Sequence, residues 1–476
     1  RIVKQGRPRL AITRRHMLQG SGAVLAAAAV TSPALGASAP ASPQISPIMA
    51  RLSTYMAEAG GKPLPDAVAE KAKQHILDTL GAMVSGADLP PGKFAINFAR
   101  IYKGEPIATV AGSGLVVGPM EAALVNGILA HSDETDDTHP LSLSHPGAAV
   151  VPAALAAGER FNVDGTRFLR PVVLGYDIGP RFTATLGRQQ YQTTTSRSTH
   201  ALAGNFGAAA AAGCCANLTA QQMRWLLSYA AQQGSGIASW QRDTDHIEKG
   251  FDFAGMPARN GVTAALLVQA GGTGVDDVLS GADNFFQAFK PLNDPSTVIE
   301  ALGERYEVMR TDIKKWTVGS PVQAPLDALS NLMQQHRFNG DAVQKVVVTV
   351  GARGASVVNA RDLAVISAEH LLAVMLVDGT VTFKSSHDTS RMRDPAVLRQ
   401  RAKISLVGDV ELEKLLPRRV GIVEVTLADG RVVSERVETV RGTAGNPMTR
   451  EEVVAKARDL MVPILGAMKF EQLAAK

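Results

Sequence analysis

The chain has only two cysteines among its 476 residues, Cys214 and Cys215, and they are adjacent. An ordinary disulfide between neighbours is strained, and an iron–sulfur cluster normally requires more thiolates than two. The alanine-rich surroundings, residues 208–216, are typical of a buried helix, which predicts that both thiols are small core residues. A dehydratase that works through an iron–sulfur cluster is therefore not expected.

Aromatic residues are also scarce, at 5% of the chain. No stretch after residue 39 reaches the roughly 18 uninterrupted apolar residues that a membrane-spanning helix needs. The hydrophobic share of 45% and the charged share of 20% are those of a globular protein with a sizeable core. The length favours two or three domains, and the many alanines and glycines predict closely packed helices.

Acidic residues are absent from residues 1–39, which hold six Lys and Arg. Without these six, 43 basic residues stand against 44 acidic ones, so the formal charge of the remainder is −1 rather than the +5 of the whole chain. A basic excess confined to one segment gives no reason to expect a nucleic acid or an anionic membrane as a partner.

The same segment places Arg14 and Arg15 ahead of a short apolar stretch at 23–30 and small residues at 34–39. This pattern resembles a twin-arginine export signal, and the alternative is a disordered basic tail. The resemblance predicts a signal peptide at 1–39 and a protein that works in the periplasm. No stable membrane anchor is expected once the signal is removed.

Apolar residues recur at helical spacing from residue 65 to about 310, and the chain becomes helical again after 446. Capping-box patterns, Thr219 with Gln222 and Thr449 with Glu452, predict where two of these helices begin.

Between these helical regions the period changes to two, first at 346–350 and again at 423–427. The second stretch turns at Asp429-Gly430 into further β-branched residues, which predicts a hairpin. The fold class predicted is mainly α, in three parts: the signal at 1–39, a large all-α domain formed by 45–311 and 441–476, and a smaller α+β lid domain at 312–440.

The densest polar stretch, residues 131–145, follows an apolar helix that should end near His131. It contains three histidines (131, 139 and 145) and four acidic residues (133, 134, 136 and 137). Three interpretations are open. The stretch is a solvated, capped loop, or a Zn²⁺ or Mn²⁺ site, or a proton-transfer site in which carboxylates orient a histidine.

Motifs throughout the chain resemble those of the MmgE/PrpD family, which includes 2-methylcitrate dehydratase and cis-aconitate decarboxylase. The matching strings are Ala123-Leu124-Val125-Asn126-Gly127, Ala130-His131, Asp136-Asp137-Thr138, His145-Pro146, Gly175-Tyr176-Asp177 and the stretches 75–81, 205–210 and 258–262. The resemblance implies a large helical domain with an α+β lid, a homodimer, and a small carboxylic acid as substrate. It also implies chemistry without any metal or organic cofactor.

The family's active-site positions fall on particular residues of this chain. Its catalytic threonine and histidine fall on Thr138 and His145, and an acidic position, Asp in familiar members, falls on Glu134. An active-site lysine falls on Lys249, although the spacing to the next motif is one residue longer than in cis-aconitate decarboxylase.

Two motifs depart from the family pattern, which indicates a rebuilt pocket. A histidine position falls on Ser198, while His200 follows two residues later. In the hinge motif, Trp316 replaces a tyrosine and Gln323 a histidine.

A small polycarboxylate that loses water or carbon dioxide develops carbanion-like charge, which needs cations and hydrogen-bond donors in a dry pocket. Lys249 and Lys315 are expected to hold carboxylates, and His145 or His200 to transfer a proton. The further candidates for substrate binding are Asp137, His139, Lys315, Trp316 and Ser198. Asp136 and Asp137 have a second interpretation, in which they orient His139 or cap a helix.

Three functions are compatible with these residues. The first is a lyase, either a dehydratase or a decarboxylase, acting on a di- or tricarboxylic acid. An isomerase or epimerase of a small carboxylic acid would use the same base and the same carboxylate clamp. The third is a periplasmic binding protein that has kept the pocket without the chemistry, which the change to Ser198 motivates.

The export prediction is testable in a bacterium that has the twin-arginine route. Changing Arg14 and Arg15 together to lysine should leave the protein in the cytoplasm, because this route requires the arginine pair. Cell fractionation and immunoblotting measure the outcome. Normal export of the double variant would contradict the signal assignment.

Overall fold

The computed structural model describes residues 45–475, so the predicted signal at 1–39 lies outside the described residues. Helices dominate the first two thirds of the described chain. Their bounds are α1 Pro47–Glu58, α2 Asp66–Gly86, α3 Pro90–Ile101, α4 Pro119–Ala130, α5 Pro146–Phe161, α6 Gly165–Leu186, α7 Arg188–Thr195, α8 Thr199–Cys215, α9 Ala220–Gln232, α10 Ile247–Gly250, α11 Met256–Gln269 and α12 Phe285–Phe289. A two-stranded ribbon, β1 Ala108–Thr109 with β2 Val116–Val117, precedes α4.

Helix α8 is the centre of the helical part, because every one of its residues is buried. Most of its side chains are small, so α5, α6 and α11 approach it closely. A β-carbon built at Gly179 of α6 would lie only 2.2 Å from the carbonyl oxygen of Ala203. Both cysteines lie buried at the end of α8 without a disulfide, as the sequence predicted.

The C-terminal part contains a four-stranded mixed sheet. Its elements are α13 Gln323–His336, β3 Val343–Gly351, α14 Ala352–Val358, α15 Ala368–Asp378, α16 Phe383–His387, α17 Pro395–Arg401, β4 Ile404–Asp409, α18 Val410–Glu413, β5 Gly421–Leu427 and β6 Val432–Val437. The strand order is β4-β3-β5-β6, in which only the β3–β4 pair is parallel. The predicted hairpin is confirmed as β5 and β6, whereas β4 was not predicted.

The last helices, α19 Arg450–Leu465 and α20 Ala467–Ala474, leave the sheet and return to the helical part. Helix α19 packs on α2, where Leu460 and Ala457 lie against Gly81. Both predicted capping boxes are present, at the starts of α9 and α19. The described chain is thus mostly helical with a small mixed sheet in its C-terminal part, and none of its helices has the length and apolarity to cross a membrane.

The close approach of α6 and α8 predicts a loss of folding stability when a side chain is added at the contact. Replacing Gly179 with alanine should destabilise the protein by about 1–3 kcal/mol, because the new methyl group meets backbone that cannot move aside. Gly165→Ala on the same helix is the matched control, since its β-carbon would meet no atom within 4 Å. Thermal unfolding measures both, and equal melting temperatures would contradict the packing argument.

Candidate active site

An acidic segment, residues 133–137, follows the end of α4 and is buried along its whole length. Its four acidic residues, Asp133, Glu134, Asp136 and Asp137, are at most 9% exposed. Buried carboxylates are costly unless cations or hydrogen-bond donors compensate them. The interpretation of this stretch as a solvated loop is therefore wrong.

Asp137 is fully occupied by structural contacts. Its carboxylate lies 2.9 Å from His75 Nδ1 of α2, accepts a hydrogen bond from the Tyr176 hydroxyl of α6, and accepts the Gly147 N–H at the start of α5. Asp137 therefore joins three helices and caps one of them, which matches the second interpretation from the sequence. No described contact directs it toward the histidines discussed below.

Two distant elements hold the first half of the segment. His387 of α16 places its Nε2 2.8 Å from Asp133, and the pKa of Asp133 is below its usual value because His387 and Thr135 outweigh the effect of burial. Lys456 of α19 pairs with Asp78 and donates to the Thr135 carbonyl at 3.0 Å. The C-terminal part of the chain thus contacts the segment directly.

Glu134 accepts a short hydrogen bond from the Lys249 ammonium. Lys314 donates to the backbone carbonyl of Glu134 at 2.6 Å, and its Nζ lies 3.9 Å from the Glu134 carboxylate and 3.7 Å from Asp136. Burial opposes the ionisation of Glu134, but Lys249 and Lys314 hold its pKa well below the usual value. The ammonium groups of Lys249 and Lys314 therefore lie beside the carboxylates of Glu134 and Asp136.

Three histidines, His131, His145 and His200, lie around the ring of Phe253, and His246 lies against His131; we call these four residues the histidine cluster. Phe253 stacks between His131 at 4.5 Å and His200 at 3.8 Å, measured between ring centroids. His145 lies 5.0 Å from the His131 ring and 5.3 Å from the His200 ring, and His246 lies 5.1 Å from His131. The cluster is thus one continuous group of rings.

Asp136 connects the acidic segment to this cluster. One of its oxygens lies 2.9 Å from His131 Nδ1, in a hydrogen bond, and 3.2 Å from His145 Nδ1, a contact whose angle is too poor for a hydrogen bond. Although burial opposes ionisation, the two histidines and Lys314 hold the pKa of Asp136 well below its usual value. The carboxylate is therefore charged and lies beside both rings.

Burial lowers the pKa of the other three histidines. At His131 burial lowers the pKa although the contact with Asp136 raises it. Burial takes the pKa of His200 well below its usual value and lowers that of His246 to about 3. These rings are neutral near pH 7. Each then offers one donor and one acceptor without a charge.

A π-helical turn, Phe251–Gly255, connects α10 to α11 and carries Phe253 into the cluster. Two glycines permit the approach, since a β-carbon at Gly127 or Gly255 would lie within 2.8 Å of atoms across the contact. A π turn contains one residue more than an α-helical turn at the same place. It lies just after Lys249, in the stretch where the family resemblance indicates one additional residue, and the assignment of Lys249 stays a prediction from the sequence.

Ser198 lies outside the ring cluster but next to it, as the N-cap of α8. Its hydroxyl donates to Asp252 at 2.5 Å, and burial raises the pKa of Asp252 to about 7. Ser198 therefore orients the start of the helix that carries His200. Among the described residues, Ser198 makes no hydrogen bond with a histidine of the cluster.

The remaining predicted binding residues have partners elsewhere. Trp316 is packed in the core beside the sheet and donates to Asp327, as does Lys315 at 3.2 Å. His139 lies between Ser142 and Glu307, and Thr138 pairs through its backbone with Asp312. None of these four has a described contact with the histidine cluster, so the catalytic role of Thr138 and the binding roles of the other three stay predictions from the sequence.

Two residues of the site were not selected by the sequence analysis. Lys314, rather than its neighbour Lys315, reaches the acidic segment, and His246 completes the cluster. Lys314 opens the hinge motif, in which Lys315 and Trp316 were the residues predicted to bind substrate. His246 belongs to none of the matching motifs.

The ligand atoms of His131, Asp136 and His145 lie within 4.8 Å of one another, a spacing that a metal ion could bridge. The Lys314 ammonium, 3.7 Å from Asp136, already supplies a positive charge there. The geometry therefore favours proton transfer over metal binding for these three residues.

Comparison with known proteins gives the family. The model of the MmgE/PrpD N-terminal domain matches residues 50–297, and that of the MmgE/PrpD C-terminal domain matches residues 316–475. The chain belongs to the MmgE/PrpD family. The candidate site draws on both matched regions, since Lys249 lies in the first, and His387 and Lys456 lie in the second.

Curated relatives of this MmgE/PrpD protein align with most of its length. Cis-aconitate decarboxylase of Aspergillus terreus is 24% identical over 444 residues, which cover 86% of this chain and 88% of the relative. Cis-aconitate decarboxylase-like protein oryM of Aspergillus oryzae is 24% identical, covering 90% and 93%. Human cis-aconitate decarboxylase is 25% identical, covering 83% and 84%.

The buried Asp252 predicts a stability change that depends on pH. Its pKa is raised from 3.8 to about 7, so the folded protein holds a proton that the unfolded chain loses, and stability falls as pH rises through this window. Asp252→Asn, which keeps an acceptor for Ser198, should therefore be more stable than wild type at pH 8, by about 2–4 kcal/mol. The advantage should shrink as pH falls to 4. Thermal unfolding at both pH values is the measurement, and an advantage independent of pH would contradict the assignment.

Proposed function

We propose that the protein is a lyase that acts on a small di- or tricarboxylic acid by acid–base chemistry. The observation that carries the proposal is the contact of His145 with Asp136 beside the ammonium groups of Lys249 and Lys314. This arrangement combines a proton carrier with cations that hold carboxylates. The family and its cis-aconitate decarboxylase relatives support a carboxy-lyase as the first activity to test.

The chemistry follows from these groups. When the carbon–carbon bond to a carboxylate breaks, carbon dioxide leaves and its electron pair stays on the substrate, where an adjacent unsaturated acid delocalises it. Protonation of carbon completes the reaction. His145 supplies that proton in the proposed mechanism, and the Asp136 carboxylate stabilises its charged form.

The surrounding residues have supporting roles. Lys249 binds a substrate carboxylate, which takes the place of Glu134 as one of the acceptors of the Lys249 ammonium. The neutral rings of His131 and His200, together with Phe253, exclude water and strengthen the interactions of the charged groups. Thr138 positions substrate by analogy with the family, and we extend the same analogy to a homodimer. The Arg14-Arg15 pair ahead of a short apolar stretch supports export to the periplasm.

The reaction type is tested by incubating the purified protein with cis-aconitate, citrate or 2-methylcitrate in heavy water. Release of carbon dioxide identifies a decarboxylase, and loss or addition of water identifies a dehydratase. Deuterium incorporation without either net change would favour the isomerase instead. Binding without any exchange would support the binding protein and contradict the proposed lyase.

Two substitutions distinguish the proposed roles on a confirmed substrate. His145→Ala should lower kcat by about 10²–10⁴, the usual value of general acid–base catalysis, with little change in melting temperature. Lys249→Ala should mainly raise KM, because it removes binding that ground and transition states share. Steady-state kinetics measure both effects.

The controls are His336→Ala and Lys93→Ala, which change exposed residues of the same types. Both should retain wild-type kinetics. If His145→Ala kept wild-type turnover, the proton would have to come from another group, and His200 would be the first alternative to examine.

A further inference from the structure

His246 belongs to a loop that the structure holds firmly. It immediately precedes α10, and the Asp243 carboxylate accepts the N–H groups of Asp245 at 3.0 Å and Lys249 at 2.9 Å. The same short loop therefore determines the positions of His246 and of Lys249. This coupling places His246 beside a residue with a role in the proposed site.

The backbone of His246 is in the left-handed region, with φ 61° and ψ 12°. This conformation is unfavourable for a residue with a β-carbon, and glycine or asparagine adopts it more readily. This backbone turns the imidazole into the protein. The residue is 9% exposed, and its ring centroid lies 5.1 Å from that of His131. The strained backbone therefore serves to place this ring inside the cluster.

The Nε2 atom of His246 is buried and has no hydrogen-bond partner among the described residues. The same holds for His131 Nε2 and His200 Nδ1. Buried polar atoms in folded proteins are nearly always paired. Three such nitrogens in one cluster are suited to binding oxygen atoms of a small polar molecule.

We propose that His246 is a specificity residue of this site, and that its Nε2 donates a hydrogen bond to an oxygen of the bound acid. The inference rests on the lyase function proposed above. The surroundings of the ring support it, since the Nε2 without a partner among the described residues belongs to a residue three positions before Lys249, which the proposed function assigns to a substrate carboxylate. Because burial lowers the pKa of His246 to about 3, the ring is neutral at working pH. It therefore adds a directed hydrogen bond without adding a charge.

The decisive variant is His246→Gly, because glycine accepts the left-handed backbone and removes only the imidazole. His246→Asn is the second variant, since asparagine also tolerates this conformation and keeps a shorter donor. Arg337→Gly is the matched control, because it relieves a left-handed backbone at an exposed residue that ends α13. Circular dichroism and thermal unfolding verify that each variant is folded.

Two readouts test the proposal. Calorimetry measures the Kd of tricarballylate, a saturated tricarboxylate that cannot react, and kinetics with cis-aconitate give kcat and KM over pH. His246→Gly should raise Kd and KM about ten- to a hundredfold, the effect of losing a hydrogen bond to a charged group. It should leave kcat within about threefold and the pH profile unchanged, with His246→Asn intermediate.

The outcomes are distinguishable from those of the proposed function. Wild-type Kd and KM in both His246 variants would overturn the His246 proposal while leaving the lyase intact. A fall in kcat with loss of one limb of the pH profile would show that His246 moves a proton, which also overturns it. If the wild-type protein neither binds tricarballylate nor turns over any acid, both proposals fail.

Discussion

The burial of four carboxylates within five consecutive residues is the constraint on which the remaining structure depends. Each carboxylate has to be compensated, and no neighbour in the sequence supplies enough positive charge. The groups that compensate them come from α2, α10, α16 and the hinge lysine Lys314. The helical part and the sheet-containing part thus meet at the acidic segment, because both contribute groups to it.

The same electrostatics set the chemical properties of the site. Burial keeps three rings of the histidine cluster neutral, whereas the ionised Asp136 stands beside His145. Asp136 contacts two rings of the cluster, His131 through a hydrogen bond and His145 at 3.2 Å. An ionised carboxylate among buried imidazole rings is suited to moving a proton between neighbouring groups.

The sequence predicted the parts of this protein that local pattern controls: the capping boxes, the hairpin, and the dense polar stretch. It missed β4, because Ile404–Asp409 is an exposed edge strand with little alternation and a distant parallel partner. It selected Lys315 instead of Lys314 because side-chain direction in an irregular segment depends on tertiary contacts. His246 was missed for a similar reason, since a left-handed backbone aims its ring and leaves no periodic signal.

The contact of Lys456 with the Thr135 carbonyl joins positions 321 residues apart. A ribosome makes α19 long after it has made α2 and the acidic segment, so during synthesis Asp78 and the Thr135 carbonyl both lack Lys456. Burying the Asp78 carboxylate before Lys456 arrives would leave it without a compensating charge, which is costly. The contacts around the acidic segment are therefore complete only once the end of the chain has been made.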